Sequence, residues 1–237
     1  MNVEASPELD RRARLHAALA DPGRLRIVDE LSLGDASPTD LQHALGVTSN
    51  LLAHHLRALE SVGLVSRRRS EADRRRTYLQ LDPDSLAGLL PDAALPRLTV
   101  PRVVFVCTAN TARSQLAAAL WAQASSIPVA SAGTHPAQAI APGATAAARR
   151  HGLKLTQRTP RRLDDVLQRG DYLITVCDNA HEELRRTGIL SEKYSDGSQL
   201  HWSVPDPVPA GTRRAFDRAY EDLTRRVTHL APRLAVS

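Results

Sequence analysis

Aromatic rings and cysteines are scarce in this 237-residue chain, and lysine is nearly absent. Phe, Trp and Tyr make up only 3% of it, so any pocket will have few rings with which to grip a flat ligand. There is no run of about 18 apolar residues, the length a membrane-spanning helix requires. The opening MNVEASPELDRR also lacks the apolar stretch of a secretion signal. A cytoplasmic protein with no membrane association is therefore expected. In that compartment two cysteines, Cys107 and Cys177, argue for chemistry rather than for a structural disulfide. The two lysines stand against 29 arginines, a bias that hints at a GC-rich genome.

What is present reads as a folded, water-soluble protein, with 42% hydrophobic and 24% charged residues. The length suits one large domain or two ordinary ones. Charge is unevenly spread. Residues 1–100 hold thirteen arginines and fourteen acids, a net of −1, while the remaining eighteen basic and twelve acidic residues give the rest a net of +6. Even so, the segment RRRSEADRRR, residues 67–76, carries six arginines against two acids.

The first hundred residues read as five helices and a hairpin. Apolar residues at helical spacing cover Leu9–Leu19 and Gly23–Leu31, separated by the breaker Asp21-Pro22. Ser37-Pro38-Thr39-Asp40 supplies a cap, a first-turn proline and an acid ahead of LQHAL, which marks a helix start, and Gly46 ends that helix. A second helix follows in TSNLLAHHLRALESVG, opening at Thr48 or Ser49 and stopped by Gly63. Two helices across a tight glycine turn form a helix-turn-helix, whose second helix enters the major groove. Its polar residues Ser49, Asn50, His54 and Arg57 are types that contact base edges. LVSRRR and RTYLQL then read as two strands joined by Ser70–Asp73. Arg67, Arg68, Arg69, Arg74, Arg75 and Arg76 flank that tip and can meet DNA phosphates. One of His54 and His55 is expected to pack or cap within its helix rather than bind metal, and no metal site is expected.

The segments ALADPGRLRIVDEL, HHLRALESVGLVSRRR and TYLQL resemble the ArsR-type winged-helix repressors over roughly residues 8–95. The resemblance implies an operator in double-stranded DNA and a homodimer built through the terminal helices of this domain. Arsenic sensors of that family often carry a cysteine pair at the start of the first motif helix. Here that region reads DASPTDL, and no thiol precedes Cys107, so the familiar trivalent-arsenic site is missing.

PDAALPRLTVP, residues 91–101, has three prolines and no helical stripe, and reads as a linker between domains at 1–95 and 100–237. Beyond it RVVFVC, PVASAG and DYLITVC alternate with SQLAAALWAQA, APGATAAARRHG and a long pattern from Thr212 to Leu234. Apolar strands alternating with helices predict a parallel sheet covered on both faces. The expected architecture is therefore α/β, a winged helix-turn-helix followed by a domain with a parallel sheet and flanking helices.

Cys107 falls at the carboxyl end of the first of these strands, where open parallel sheets bind ligands. The loop Thr108, Ala109, Asn110, Thr111, Ala112 leads into a helix starting near Ser114. Amides at a helix start hold oxyanions and favour a thiolate. Arg113 offers a planar fork for two oxygens of arsenate or phosphate, and the Ser114 hydroxyl can donate to the sulfur. The spacing C-x5-R-S at a strand-to-helix junction resembles the low-molecular-weight phosphotyrosine phosphatases, which include thiol-dependent arsenate reductases. SAGT, DYLITVCD and DPV extend the resemblance across residues 101–237. It implies that Asp206, in Asp206-Pro207, is the general acid. Ala109 stands where the family usually has glycine and Ala112 where it often has cysteine. An alanine forced to positive φ would cost about 1–2 kcal/mol, so the loop is expected to be slightly strained or differently wound, with the retained Asn110 bracing it.

Three features favour reduction over phosphate-ester hydrolysis. Gln115 follows Arg113-Ser114, as in the reductases, where the phosphatases commonly have proline. Val208-Pro209 rather than tyrosines follow Asp206-Pro207. Cys177 ends the strand DYLITVC at the same sheet edge as Cys107, where the reductases place a second thiol, and Asp178-Asn179 already lead the chain out of the core. The alternative for Cys177 is a small buried hydrophobe. On the reductase reading no cofactor is bound, and an external thiol reductant, thioredoxin or mycothiol with its redoxin, completes the cycle. The alternatives are a phosphatase fused to a DNA-binding domain and a repressor whose second domain senses an oxyanion or redox state without catalysis.

Overall fold

The computed structural model describes residues 7–86, 98–188 and 199–236, and the chain divides into two compact units, Met1–Ala94 and Leu95–Ser237. The first contains α1 (Pro7–Leu19), α2 (Pro22–Leu31), α3 (Pro38–Leu45), α4 (Ser49–Ser61), β1 (Val65–Arg69) and β2 (Thr77–Leu81). The helix starts follow from local chemistry. Asp21 accepts the Arg24 amide, Ser37 and Asp40 form a reciprocal capping box, and Thr48 caps α4. Gly46, at φ 65°, turns α3 towards α4 in the left-handed region that glycine enters without penalty. On α4, Leu52, Leu56 and Leu59 recur at helical spacing and pack with Ile27, Leu41 and Leu79 in one core.

The hairpin pairs Val65 with Leu81 through Arg69 with Thr77. Its connection runs from Ser70 to Arg76, longer than the expected Ser70–Asp73. The buried Ser70 hydroxyl accepts the amides of Ala72 and Asp73, and the Arg76 amide bonds to the Asp73 carbonyl, so the turn closes on itself. Arg74, Arg75 and Arg76 are loop residues. One 3-10 turn follows at Pro83–Leu86; of the five helices expected in this half, four α-helices lie among the described residues.

In the second unit β4 (Val103–Cys107), α5 (Arg113–Ala124), β5 (Val129–Gly133), α6 (Pro142–Arg150), α7 (Leu163–Val166), β6 (Tyr172–Thr175), α8 (Asp178–Arg186), β7 (Gln199–His201) and α9 (Arg213–Leu230) build an α/β domain. Its sheet runs β5-β4-β6-β7, with every neighbouring pair parallel. All five residues of β4 are buried, as a strand covered on both faces requires. Phe105, Trp121 and Trp202 cluster in the core at ring separations of 5.9 and 5.6 Å; three of the chain's eight aromatic rings thus stabilise packing.

Two sequence expectations change here. Leu98–Val100, assigned to the linker, is a strand, β3, paired in parallel with β8 (Leu234–Val236); residues 91–97 lie outside the described residues. DYLITVC does not end as a strand at Cys177. β6 stops at Thr175, and Cys177 caps α8, its sulfur accepting the Ala180 amide at 3.4 Å.

Candidate active site and nucleic-acid face

The β4–α5 loop begins where the innermost strand ends, so its position is set by the sheet. One segment of chain fixes its orientation. The carbonyls of Cys107, Thr108, Ala109 and Thr111 accept the amides of Thr134, His135, Ala137 and Ala141. With the carbonyls engaged on that side, loop amides are available on the other. α5 has Ala112 at its N-cap and no side-chain cap bond, which leaves first-turn amides for an anion. Gly133 lets the two segments meet: a Cβ there would lie 2.5 Å from the Thr108 carbonyl oxygen and 3.0 Å from the Asn110 nitrogen.

The sulfur of Cys107 is 3.0 Å from the Ser114 hydroxyl and accepts the Asn110 amide at 3.1 Å. Asn110 is the one non-glycine with positive φ among the described residues, at 52°. Ala109 does not take positive φ, so of the two expected outcomes the loop is differently wound rather than strained there. The left-handed position falls one residue later, on a side chain that tolerates it. Asn110 Nδ2 donates to Ser114 Oγ at 2.8 Å and to Ser131 Oγ at 3.0 Å, and its Oδ1 accepts the Arg161 amide at 2.9 Å. Gln157 braces Ser131 in turn, accepting its hydroxyl and donating to its carbonyl.

Arg113 is 5% exposed. Its guanidinium donates to the Val204 carbonyl at 2.9 Å and to Asp206 Oδ2 at 2.8 Å. The second oxygen of Asp206 accepts the Val208 amide. Arg113 and the sequence-nominated acid thus meet at the loop, joined as an ion pair.

Cys177 also arrives there. Its sulfur lies 3.5 Å from Thr108 Oγ1, and both cysteines are free thiols. Burial pushes the Cys177 thiol up to about 11; nearby Cys107 adds to the shift, while Arg113 opposes it. The chain does not leave the core after Cys177, as Asp178 suggested. Asp178 is fully buried, with one carboxylate oxygen 3.3 Å from His201 Nε2. His201 stacks on His181, and both approach the Thr175 hydroxyl. α8 is tied to the loop a second time, because Glu183 accepts the Thr134 hydroxyl and pairs with His135. The roles of Gln157 and Ser131, and the buried Asp178–His201 pair, had no signature at sequence level. All of them depend on contacts between segments far apart in the chain.

In the first unit Ser49, Asn50, His54 and Arg57 are all exposed along α4, while His55 is the buried histidine, 3.6 Å from Asp21. Leu51, which carries no polar signal in the sequence, is also exposed on this helix. The wing arginines differ from one another. Arg67 pairs with Glu60, Arg68 with Glu71 and Arg75 with Asp73; Arg69, Arg74 and Arg76 are exposed to solvent. Among the described residues no group of three or more potential metal ligands gathers, and no helix is long and apolar enough to cross a membrane.

The family described as low molecular weight phosphotyrosine protein phosphatase matches residues 102–237, more than half of the chain. The chain belongs to that family. Residues 21–67 match the arsR family of bacterial regulatory proteins, so an ArsR-type helix-turn-helix and a low-molecular-weight phosphatase domain are joined in one polypeptide. An arsenate reductase of Brevibacillus brevis is 28% identical over 134 residues, 54% of this chain and 92% of that protein. A transcriptional repressor SmtB homolog of Synechocystis sp. is 32% identical over 92 residues, 39% of this chain and 67% of that protein. Among solved structures, the arsenate reductase from Archaeoglobus fulgidus aligns with 26% identity and a TM-score of 0.44, covering 54% of this chain and 98% of that one.

Proposed function

We propose that this protein is a DNA-binding regulator fused to a thiol-dependent arsenate reductase. Residues 1–95 bind an operator as a homodimer and residues 100–237 carry the chemistry. The observation that supports reduction most directly is a second thiol at the oxyanion loop, with Cys177 Sγ 3.5 Å from Thr108 Oγ1. The Cys107 sulfur attacks the arsenic of arsenate held by the amides of Thr108–Ser114 and by the Arg113 fork. The anion gives Arg113 a new partner and releases Asp206, which takes up a proton from solvent and passes it to the departing arsenate hydroxyl as that leaves as water. A second thiolate then attacks the Cys107 sulfur. A disulfide forms, the sulfur–arsenic bond breaks, and its electron pair stays on arsenic, which departs as arsenite. An external dithiol reductant restores the thiols.

If Cys177 is that second thiol, its chemistry is pH-dependent. With its proton held up to about 11 by burial, the thiolate fraction rises roughly tenfold per pH unit from neutrality to pH 10. Arsenate turnover limited by this step should climb accordingly, while aryl phosphate hydrolysis, which needs no second thiol, should not. Mass spectrometry after one arsenate turnover should find a Cys107–Cys177 disulfide, and Cys177→Ser should lose reductant-coupled turnover yet keep phosphate hydrolysis. The same burial favours the competing reading, a phosphatase in which Cys177 is packing alone. Brisk aryl phosphate hydrolysis with no thiol oxidation by arsenate would establish that reading instead.

A further inference from the structure

Gln115 is fully buried at the third position of α5. Its side-chain amide donates twice to one residue, to the backbone oxygen and to Oδ1 of Asn110, each at 3.1 Å. Turning the amide over would set its oxygen against two other oxygens, so the donor assignment is dictated by its surroundings. Among the described residues the buried Gln115 oxygen has no hydrogen-bond partner. Burying such an atom is unfavourable, and an apolar residue would avoid it. What the glutamine provides in return is the pair of donors aimed at Asn110.

Asn110 is the left-handed residue whose amide points at the Cys107 sulfur and whose Nδ2 occupies an acceptor site on Ser114 Oγ. With that site filled, the Ser114 proton is free to turn towards the sulfur, 3.0 Å away. We infer that Gln115 is a positioning residue for Cys107. It locks the left-handed Asn110, and through Asn110 it aims one amide and one hydroxyl at the sulfur, so that negative charge on the sulfur is stabilised before substrate arrives. This inference rests on Cys107 being the nucleophile proposed above. It gives Gln115 a mechanical task that a proline at this position, lacking a side-chain donor, could not perform.

The test uses the full-length protein and iodoacetamide, with modification of Cys107 and Cys177 separated by peptide mass spectrometry. Wild-type Cys107 should react much faster than free N-acetylcysteine at pH 6.5. Gln115→Met, similar in shape but without donors, should react about tenfold more slowly than wild type. Gln115→Glu separates positioning from packing. Its carboxyl can donate to Asn110 when protonated and repels both oxygens when ionised. With one of the two donors restored, its rate relative to wild type should be within a few-fold at pH 5 and at least tenfold lower still at pH 8. A Gln115→Glu ratio that does not change with pH overturns the inference, as does a folded Gln115→Met protein reacting at the wild-type rate. If Gln115→Met does not fold, the Glu ratio alone decides. Those results leave the nucleophile reading standing. A wild-type Cys107 no faster than N-acetylcysteine removes the nucleophile and this inference together.

Discussion

On α4 the polar side chains Ser49, Asn50, His54 and Arg57 stand in solvent, whereas Asn110 of the β4–α5 loop and Arg113, Ser114 and Gln115 of the first turn of α5 are at most 5% exposed. Each of these α4 side chains can be exchanged without moving another of the four, since the helix holds its own backbone and the Arg57 bond among the described residues goes to the Ala53 carbonyl one turn back. The loop residues hold one another. Asn110 alone is bonded to Ser114, Ser131, Gln115 and the Arg161 amide. A surface that reads a partner from outside can be built from independent projections. A loop that must stabilise charge on a sulfur needs donors fixed in advance, and in a buried setting every donor needs a partner of its own.

The contrast can be broken most forcefully with two glycines. Gly133 faces the Thr108 carbonyl and the Asn110 backbone, with no room for a methyl group. At Gly46, φ 65°, a methyl group would meet nothing within 4 Å. Gly133→Ala should destabilise its unit by about 1–3 kcal/mol through overpacking and slow Cys107 alkylation by an order of magnitude or more, because the displaced atoms include the amide on the sulfur. Gly46→Ala should cost about 1–2 kcal/mol for the left-handed backbone, with no effect on Cys107. Denaturant melts and alkylation rates on both proteins check this. If Gly133→Ala keeps wild-type thiol reactivity, the loop is not interlocked as described.

The same contrast explains what could be read from the sequence. The caps at Asp21, Ser37 and Thr48 and the leucine stripe of α4 are local signals, and the helices begin and end where those residues dictate. The run VVFVC needed no partner to be recognised as a buried strand, and Cys107, Arg113 and Ser114 followed from its end. The strands β3, β7 and β8, three residues each, were not legible because so short a segment carries no periodicity. They exist because of what lies alongside them. α8 escaped for a related reason. Its cap Cys177 and first residue Asp178 looked like the end of a strand and an exit to solvent, yet Asp178 is buried with His201 3.3 Å away. The motif position of Ala109 left a strained or a differently wound loop open, and only the folded backbone, with its left-handed turn at Asn110, decides between them.

In the wing the residues are independent of one another but not of their acidic neighbours. Arg67, Arg68 and Arg75 have carboxylate partners within the domain, so meeting a phosphate means exchanging one anion for another. Arg74 is exposed on the loop. Arg74→Ala should lower the slope of log affinity against log salt by about 0.9 on a mixed-sequence duplex, and Arg67→Ala by clearly less. Fluorescence anisotropy across a salt series measures both. Equal slopes for the two variants would mean that the Glu60 pair does not persist in solution.

The smallest effect is the most specific. Arg57 lies three residues beyond His54 and is exposed on α4, and on the proposed operator-binding reading its guanidinium would pair with a guanine edge through two parallel bonds. Arg57→Ala should relax preference at a single base position by about 1–3 kcal/mol while changing affinity for other positions little. Selection from a randomised duplex pool by wild type and variant gives the comparison directly, because a lost guanine at one position of the selected site is a signature that general weakening cannot produce. The salt slope supplies the control. A base contact leaves it unchanged, whereas a phosphate contact lowers it by about the same 0.9 expected for Arg74. A uniform loss across all sequences with a reduced slope would move Arg57 from reading bases to gripping the backbone, and base readout would then fall to Ser49, Asn50 and His54 at the start of the helix.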